Sequence, residues 1–152
     1  TMMGVNTKVL NPATQDHSFG TVPVLTLARK NQSPIITLAA PINLKEGKHF
    51  GPNAGFGVQH IWAEHNVEIV AAGFAGVADV PAYVQRILNM PTLLYFEDRP
   101  GPKTRVNAVR IVTGTVILEY VQTKVGNILT PYWSVVTAYS DTRTKGVVVG
   151  SM

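Results

Sequence analysis

Tyr132-Trp-Ser-Val-Val-Thr-Ala-Tyr139 is the stretch on which the reading of this chain turns. It is rich in β-branched and aromatic residues and free of Gly and Pro, which makes it a strand. Period-two alternation places Trp133, Val135, Thr137 and Tyr139 on one face and Ser134, Val136 and Ala138 on the other. Thr137 and Tyr139 then point the same way, about 7 Å apart by strand rise. Upstream, residues 92–97, 105–113 and 116–124 are also β-rich. Turn residues divide them: Asp98-Arg-Pro-Gly-Pro102, then Gly114-Thr115, then a loop through Gly126 and Pro131. The pattern predicts a four-stranded antiparallel meander, with 147–149 as a short edge strand.

The period changes before residue 92. Ile61, His65 and Ile69 recur at helical spacing within 59–72, with Trp62 beside them, until Gly73 and Gly76 end the pattern. A second helix follows, with Asp79 as its cap, Pro81 in its first turn, and Tyr83, Val84, Ile87 and Leu88 as its stripe. Asn89-Met-Pro91 stops it. Further upstream, 22–28 and 35–44 read as a hairpin, 45–57 (KEGKHFGPNAGFG) as a loop, and 1–20 as a polar lead-in. The expected fold is α+β. An N-terminal hairpin and two helices pack on a C-terminal antiparallel sheet, with 21–152 as a single domain.

Composition narrows the function classes. Of 152 residues, 45% are hydrophobic and 14% charged, which excludes a disordered chain or a coiled coil. The absence of Cys excludes a thiol nucleophile and Cys-ligated zinc, and implies a fold that does not depend on an oxidising compartment. No apolar run reaches the length of a membrane-spanning helix. Thr1-Met-Met-Gly shows no basic and apolar leader, so no signal peptide is expected; it reads as a piece of something longer. The formal charge of +4 favours polyanionic partners such as RNA, DNA or an acidic protein.

His49, His60 and His65 cluster in sequence, and imidazole is the side chain best matched to proton transfer near neutral pH. Cleavage of RNA by its own 2′-hydroxyl needs two such transfers, with cations or donors for the phosphorane charge. Lys48 and a helix N-terminus beside the cluster suit a phosphate. On a helix, however, positions five apart are separated by about 140°, so His60 and His65 do not share a narrow face. His65 can equally be a core or rim residue, and His60 with Glu64 a surface pair. His60 and Glu64 could also chelate a metal with His49 or His65; this is the lesser alternative, and no metal or cofactor is expected. On the final strand, the Thr137 hydroxyl can hold a phosphate or base edge and the Tyr139 ring can stack a base, although both are also ordinary strand formers. Lys103, Arg105, Arg110 and Lys124 are the meander's cations. Glu119 is either a base or a cross-strand partner of Arg110.

Gly57–His65 (GVQHIWAEH), followed far downstream by Val135-Val-Thr-Ala-Tyr139, resembles the barnase–EndoU–colicin–RelE-like (BECR) nucleases. The likeness is strongest to C-terminal toxin domains of contact-dependent inhibition and phage-associated proteins, and spans roughly 45–140. It implies a metal-independent ribonuclease that leaves a 2′,3′-cyclic phosphate. His60 and His65 match the family's paired His, with His49 competing as the partner, and Thr137 and Tyr139 match its late pair. The family's Lys has no single counterpart, Lys124 and Lys103 both being candidates. Lys48, Lys124, Arg110 and Arg105 are then the substrate-binding residues. The likeness further implies RNA, tRNA above all, as substrate, an acidic immunity protein as partner, and a translation GTPase as a possible host factor. It implies export within a larger protein and delivery to a target cell's cytoplasm. The alternatives from other classes are a non-catalytic binding or phage-structural module and a metal-dependent hydrolase.

Overall fold

Residues 128–139 form one continuous strand in the computed structural model, which describes residues 4–152. In chain order the strands are β1 (Ser18–Val22), β2 (Leu25–Arg29), β3 (Gln32–Thr37), β4 (Ala40–Asn43), β5 (Lys48–Gly51) and β6 (Ala54–Phe56). Helices α1 (Gly57–Ala71) and α2 (Val80–Ile87) follow, then β7 (Leu93–Phe96), β8 (Arg105–Arg110), β9 (Gly114–Val125), β10 (Ile128–Tyr139) and β11 (Val147–Ser151). The fold is α+β, with a large curled mixed sheet and two helices. No helix among the described residues is long and apolar enough to cross a membrane.

The meander β7-β8-β9-β10 lies within a seven-stranded sheet ordered β1-β4-β10-β9-β8-β7-β11, with β11 at the expected edge. The sheet is not purely antiparallel, because β4 runs parallel to β10 through the Trp133–Ile42 and Ser134–Asn43 pairs. The run read as one strand at 35–44 is therefore two: β3 stays in the hairpin with β2, while β4 leaves for the main sheet. Curling brings the sheet's two edges together. A Cβ on Gly20 of β1 would fall 2.6 Å from Met152, and one on Gly150 of β11 would fall 2.7 Å from Leu25. The segment read as a polar lead-in also joins the fold: residues 18–20 belong to β1, and Asn11 is buried.

Three turn readings change for physical reasons. The β8–β9 turn is 111–113, with exposed Val112 at φ 60°, and Gly114 belongs to the strand. Gly114 is required by close approach: a Cβ there would lie 2.5 Å from the Tyr139 carbonyl oxygen and 2.9 Å from Ile87. The β9–β10 connection shrinks to Gly126-Asn127, with Gly126 at φ 63°. Pro131 is consequently inside β10, opposite Gln122. It is tolerated because β4 pairs with β10 only at residues 133 and 134, so nothing needs the missing N–H. The Gly-rich segment 45–57 is not all loop, since β5 and β6 form a small hairpin in it.

The core lies between the sheet, the β2–β3 hairpin and the helices. Trp133, Leu118, Ile42, Leu27, Ile61, Ile69, Tyr83 and Ile87 are all essentially inaccessible. Helix α1 bends at His65, whose φ of −130° and ψ of 20° lie outside helical values. Asp79 does not cap α2; its carboxylate accepts from the Ala75 and Gly76 N–H groups at 2.8 and 3.3 Å, bracing the approach to the helix.

Candidate active site

A bulge in β10 decides what its side chains face. Val135 pairs with Leu118 and Thr137 with Ile117, so Val136 is the extra residue. Partners across a ladder share a face. Val135 and Ala138, opposite Leu118 and Val116, therefore both face the core, whereas Ser134, Thr137 and Tyr139 face the other way with Glu119, Ile117 and Thr115. The uniform alternation read from the sequence is thus broken after Val135. Thr137 and Tyr139 still point together, but away from Trp133 and Val135.

On that opposite face lies a groove of about 820 Å³. Tyr95, Asn107 and Ile117 form a cross-strand row along its floor. His65 and Glu68 of α1 and Tyr139 of β10 stand on one side, and Arg99, Arg105, Arg143 and Lys145 bring positive charge. Three carboxylates also line it: Glu68, Glu97 and Asp141. Glu97 is paired with Arg99, and Asp141 with Arg143 at 2.6 Å. Arg105 Nε donates to Glu119 at 3.1 Å. Exposed pairs of this kind are worth only about 0–1 kcal/mol, so an incoming phosphate can recruit these cations at little cost.

His65 Nδ1 is held by one oxygen of Glu68, and the other oxygen accepts from the Ser140 N–H at 2.9 Å. The carboxylate thus ties α1 to the end of β10 and orients the imidazole, with the Nδ1 proton directed at Glu68 leaving Nε2 as acceptor. The His65 and Tyr139 rings lie 5.4 Å apart. Burial foremost, with help from Asp141 and Glu68, holds the Tyr139 phenol above its ordinary value, so it remains a proton donor at neutral pH. Tyr83 braces the same corner through a 2.7 Å contact with the Ser140 hydroxyl.

His49 and His60 meet elsewhere. Their Nδ1 atoms are 3.0 Å apart, with His60 buried on α1 and His49 exposed on β5. Burial is the main cause that lowers the His60 value, opposed by Glu64, and His60 is neutral at physiological pH. Of the three clustered imidazoles, only His65 lines the groove.

The other expected residues are dispersed. Thr137 continues the floor row but is buried, and its hydroxyl has no hydrogen-bond partner. Arg110 donates to the Arg86 carbonyl at 3.1 Å, closing the end of α2. Glu119 pairs with Arg105 across the ladder, not with Arg110, which lies opposite Gly114. Lys124 sits at the far tip of the β9–β10 hairpin, about 23 Å along the strand from Ile117 by strand rise. Lys48 lies over the Phe50 ring, and Lys103 borders a neighbouring depression. The α1 N-terminus is not open to phosphate, because the Val58 and Gln59 N–H groups donate to the Lys45 and Glu46 carbonyls at 3.0 and 2.9 Å. Sequence reading missed Glu68, Arg99, Arg143 and Lys145. The available signals were Glu68 at i+3 from His65 and the charged stretch Asp141-Thr-Arg-Thr-Lys145 directly after the key strand. Comparison with protein-family models, curated proteins and solved structures finds no match to this chain.

Proposed function

We propose that the protein is a metal-independent endoribonuclease, a toxin domain of the BECR type. The observation that carries the reading is a carboxylate-oriented imidazole, His65 on Glu68, beside Tyr139 on one side of a groove supplied with Arg99, Arg105, Arg143 and Lys145. His65 Nε2 takes the proton of an RNA 2′-hydroxyl, whose oxygen attacks the adjacent phosphorus. The guanidinium groups oppose the charge that builds on the phosphorane oxygens. The bond to the 5′ oxygen breaks, Tyr139 supplies the proton this oxygen needs, and a 2′,3′-cyclic phosphate remains. An unpaired base stacks on Tyr95 or Tyr139.

The motif likeness supplies the setting. The substrate is RNA, tRNA above all, and an acidic immunity protein covers the groove in producing cells. The domain is exported within a larger protein and acts in a target cell's cytoplasm, with a translation GTPase as a host factor. His60 and His49 support α1 and the β5–β6 hairpin beside the site, and Thr137 lies buried next to its floor at Ile117.

Expression under a tight promoter tests this reading. The expected result is growth arrest with tRNA fragments on a denaturing gel, and neither with His65→Ala. Intact RNA and normal growth at matched protein levels would instead identify a binding module that uses the same groove.

A further inference from the structure

The geometry points to a second site: we propose that His49, His60 and Glu64 bind one divalent transition-metal ion of the zinc class. One ligand atom from each of the three lies within 4.8 Å of the others. The two imidazoles present Nδ1 to Nδ1 at 3.0 Å, with ring planes 26° apart. Zinc–nitrogen bonds of about 2.0–2.1 Å at a tetrahedral angle need nitrogens roughly 3.3 Å apart, so the rings must part by only a few tenths of an ångström. Without metal, a proton must sit between the two nitrogens; when metal takes its place, that proton moves to Nε2 of the ring that donated it, so both imidazoles ligate as neutral Nδ1 donors.

Independent features keep the site in shape. His60 and Glu64 are one turn apart on α1, which aims both side chains at the β5–β6 hairpin carrying His49. Glu64 Oε1 accepts from the Asn53 N–H at 2.7 Å, holding the carboxylate while its second oxygen stays available. Gly55 lies opposite His49, and a Cβ there would fall 2.8 Å from His60 Nδ1, so this glycine keeps the nitrogen's surroundings clear. Two imidazoles and a single carboxylate suit zinc and its neighbours, whereas Mg²⁺ and Ca²⁺ demand more oxygen ligands. The bound ion clamps the hairpin to α1 and keeps one coordination position for water. The proposal does not rest on the nuclease reading, whose acid–base groups are different residues.

The test is titration of the metal-stripped full chain with Zn²⁺ by calorimetry and with Co²⁺ by visible absorption. The expected result is uptake of one equivalent at micromolar metal, with the intense Co²⁺ bands of a four-coordinate site. Affinity should fall tenfold or more in His49→Ala and in Glu64→Gln, both accessible positions, and hold in His17→Ala. Circular dichroism confirms that each variant is folded. No uptake by folded protein, or uptake unchanged in His49→Ala and Glu64→Gln, overturns the proposal. RNA cleavage in EDTA is scored separately, so failure of one assignment is not failure of the other.

Discussion

Replacing Glu68 by Gln keeps the side chain's shape and removes its charge, which separates positioning from bulk. Glu68 accepts two bonds, from His65 Nδ1 and from the Ser140 N–H at 2.9 Å. Gln can accept only one of these with its carbonyl oxygen and must present an amide NH₂ to the other. If the carbonyl stays on Ser140, the NH₂ donates to His65 Nδ1 and moves the imidazole proton to Nε2. The ring then faces the groove as a donor and no longer serves as base. A positioned general base is worth about 10²–10⁴ in rate, so kcat should fall by roughly 10²-fold or more while KM changes little. Hydrogen bonds to charged groups contribute about 1.5–3 kcal/mol; because the Glu68 side chain is 33% exposed, the lower end applies, giving a loss of about 1–2 kcal/mol. The assay is cleavage of a fluorescent oligoribonucleotide across pH, paired with urea unfolding. A variant that loses this stability yet keeps kcat within about twofold would show that the pair only braces the fold, and would refute the positioning argument.

Other consequences concern stability and charge. Gly114→Ala adds a Cβ 2.5 Å from the Tyr139 carbonyl at a φ of 154° and should cost about 1–3 kcal/mol in urea unfolding; an unchanged midpoint would contradict the close packing of β9, β10 and α2. Tyr83 and Tyr139 are both raised above 10.0, chiefly by burial. The folded state therefore favours the neutral phenol: this stability is whole below about pH 10 and is lost as pH climbs through the raised folded values. Denaturation midpoints should fall above pH 10 and fall less in Tyr83→Phe, and equal slopes in both proteins would count against it. Arg143→Ala and Lys145→Ala should each reduce the slope of log affinity for single-stranded RNA against log salt by about 0.7. Slopes that match the unaltered protein would remove both residues from the RNA path.

Much of the fold was legible because its signals are local. The alternation in 132–139, the helical spacing of Ile61 and Ile69, and the β-rich runs between turn residues each report backbone period directly. The departures needed partners that are distant in sequence. Nothing near Val136 announces a bulge, which follows from how β10 fits β9 while Trp133, Val135 and Ala138 all reach the core. Gly114 looks like a turn residue until the Tyr139 carbonyl is seen beside it, and Pro131 looks like a loop residue until the shortness of β4 is known. The candidate site followed the same rule. His65 and Tyr139, each singled out from a short motif, lie side by side at the groove. The arginines around them come from 97–105 and 141–145, whose return to one groove depends on strand order alone. His60 was paired with His65 and His49 offered as the competing partner, whereas the rings that meet are His49 and His60, because the hairpin carrying His49 was hidden in a segment read as loop.

The central claim is acid–base cleavage of RNA by His65 within this groove, and end-group analysis tests it most directly. Purified protein is incubated with tRNA in EDTA, and the 3′ ends of any fragments are examined for a 2′,3′-cyclic phosphate. The expected result is cleavage with cyclic ends in EDTA, lost in folded His65→Ala and strongly reduced in Tyr139→Phe. Intact tRNA, fragments without cyclic ends, or cleavage that survives His65→Ala would contradict it.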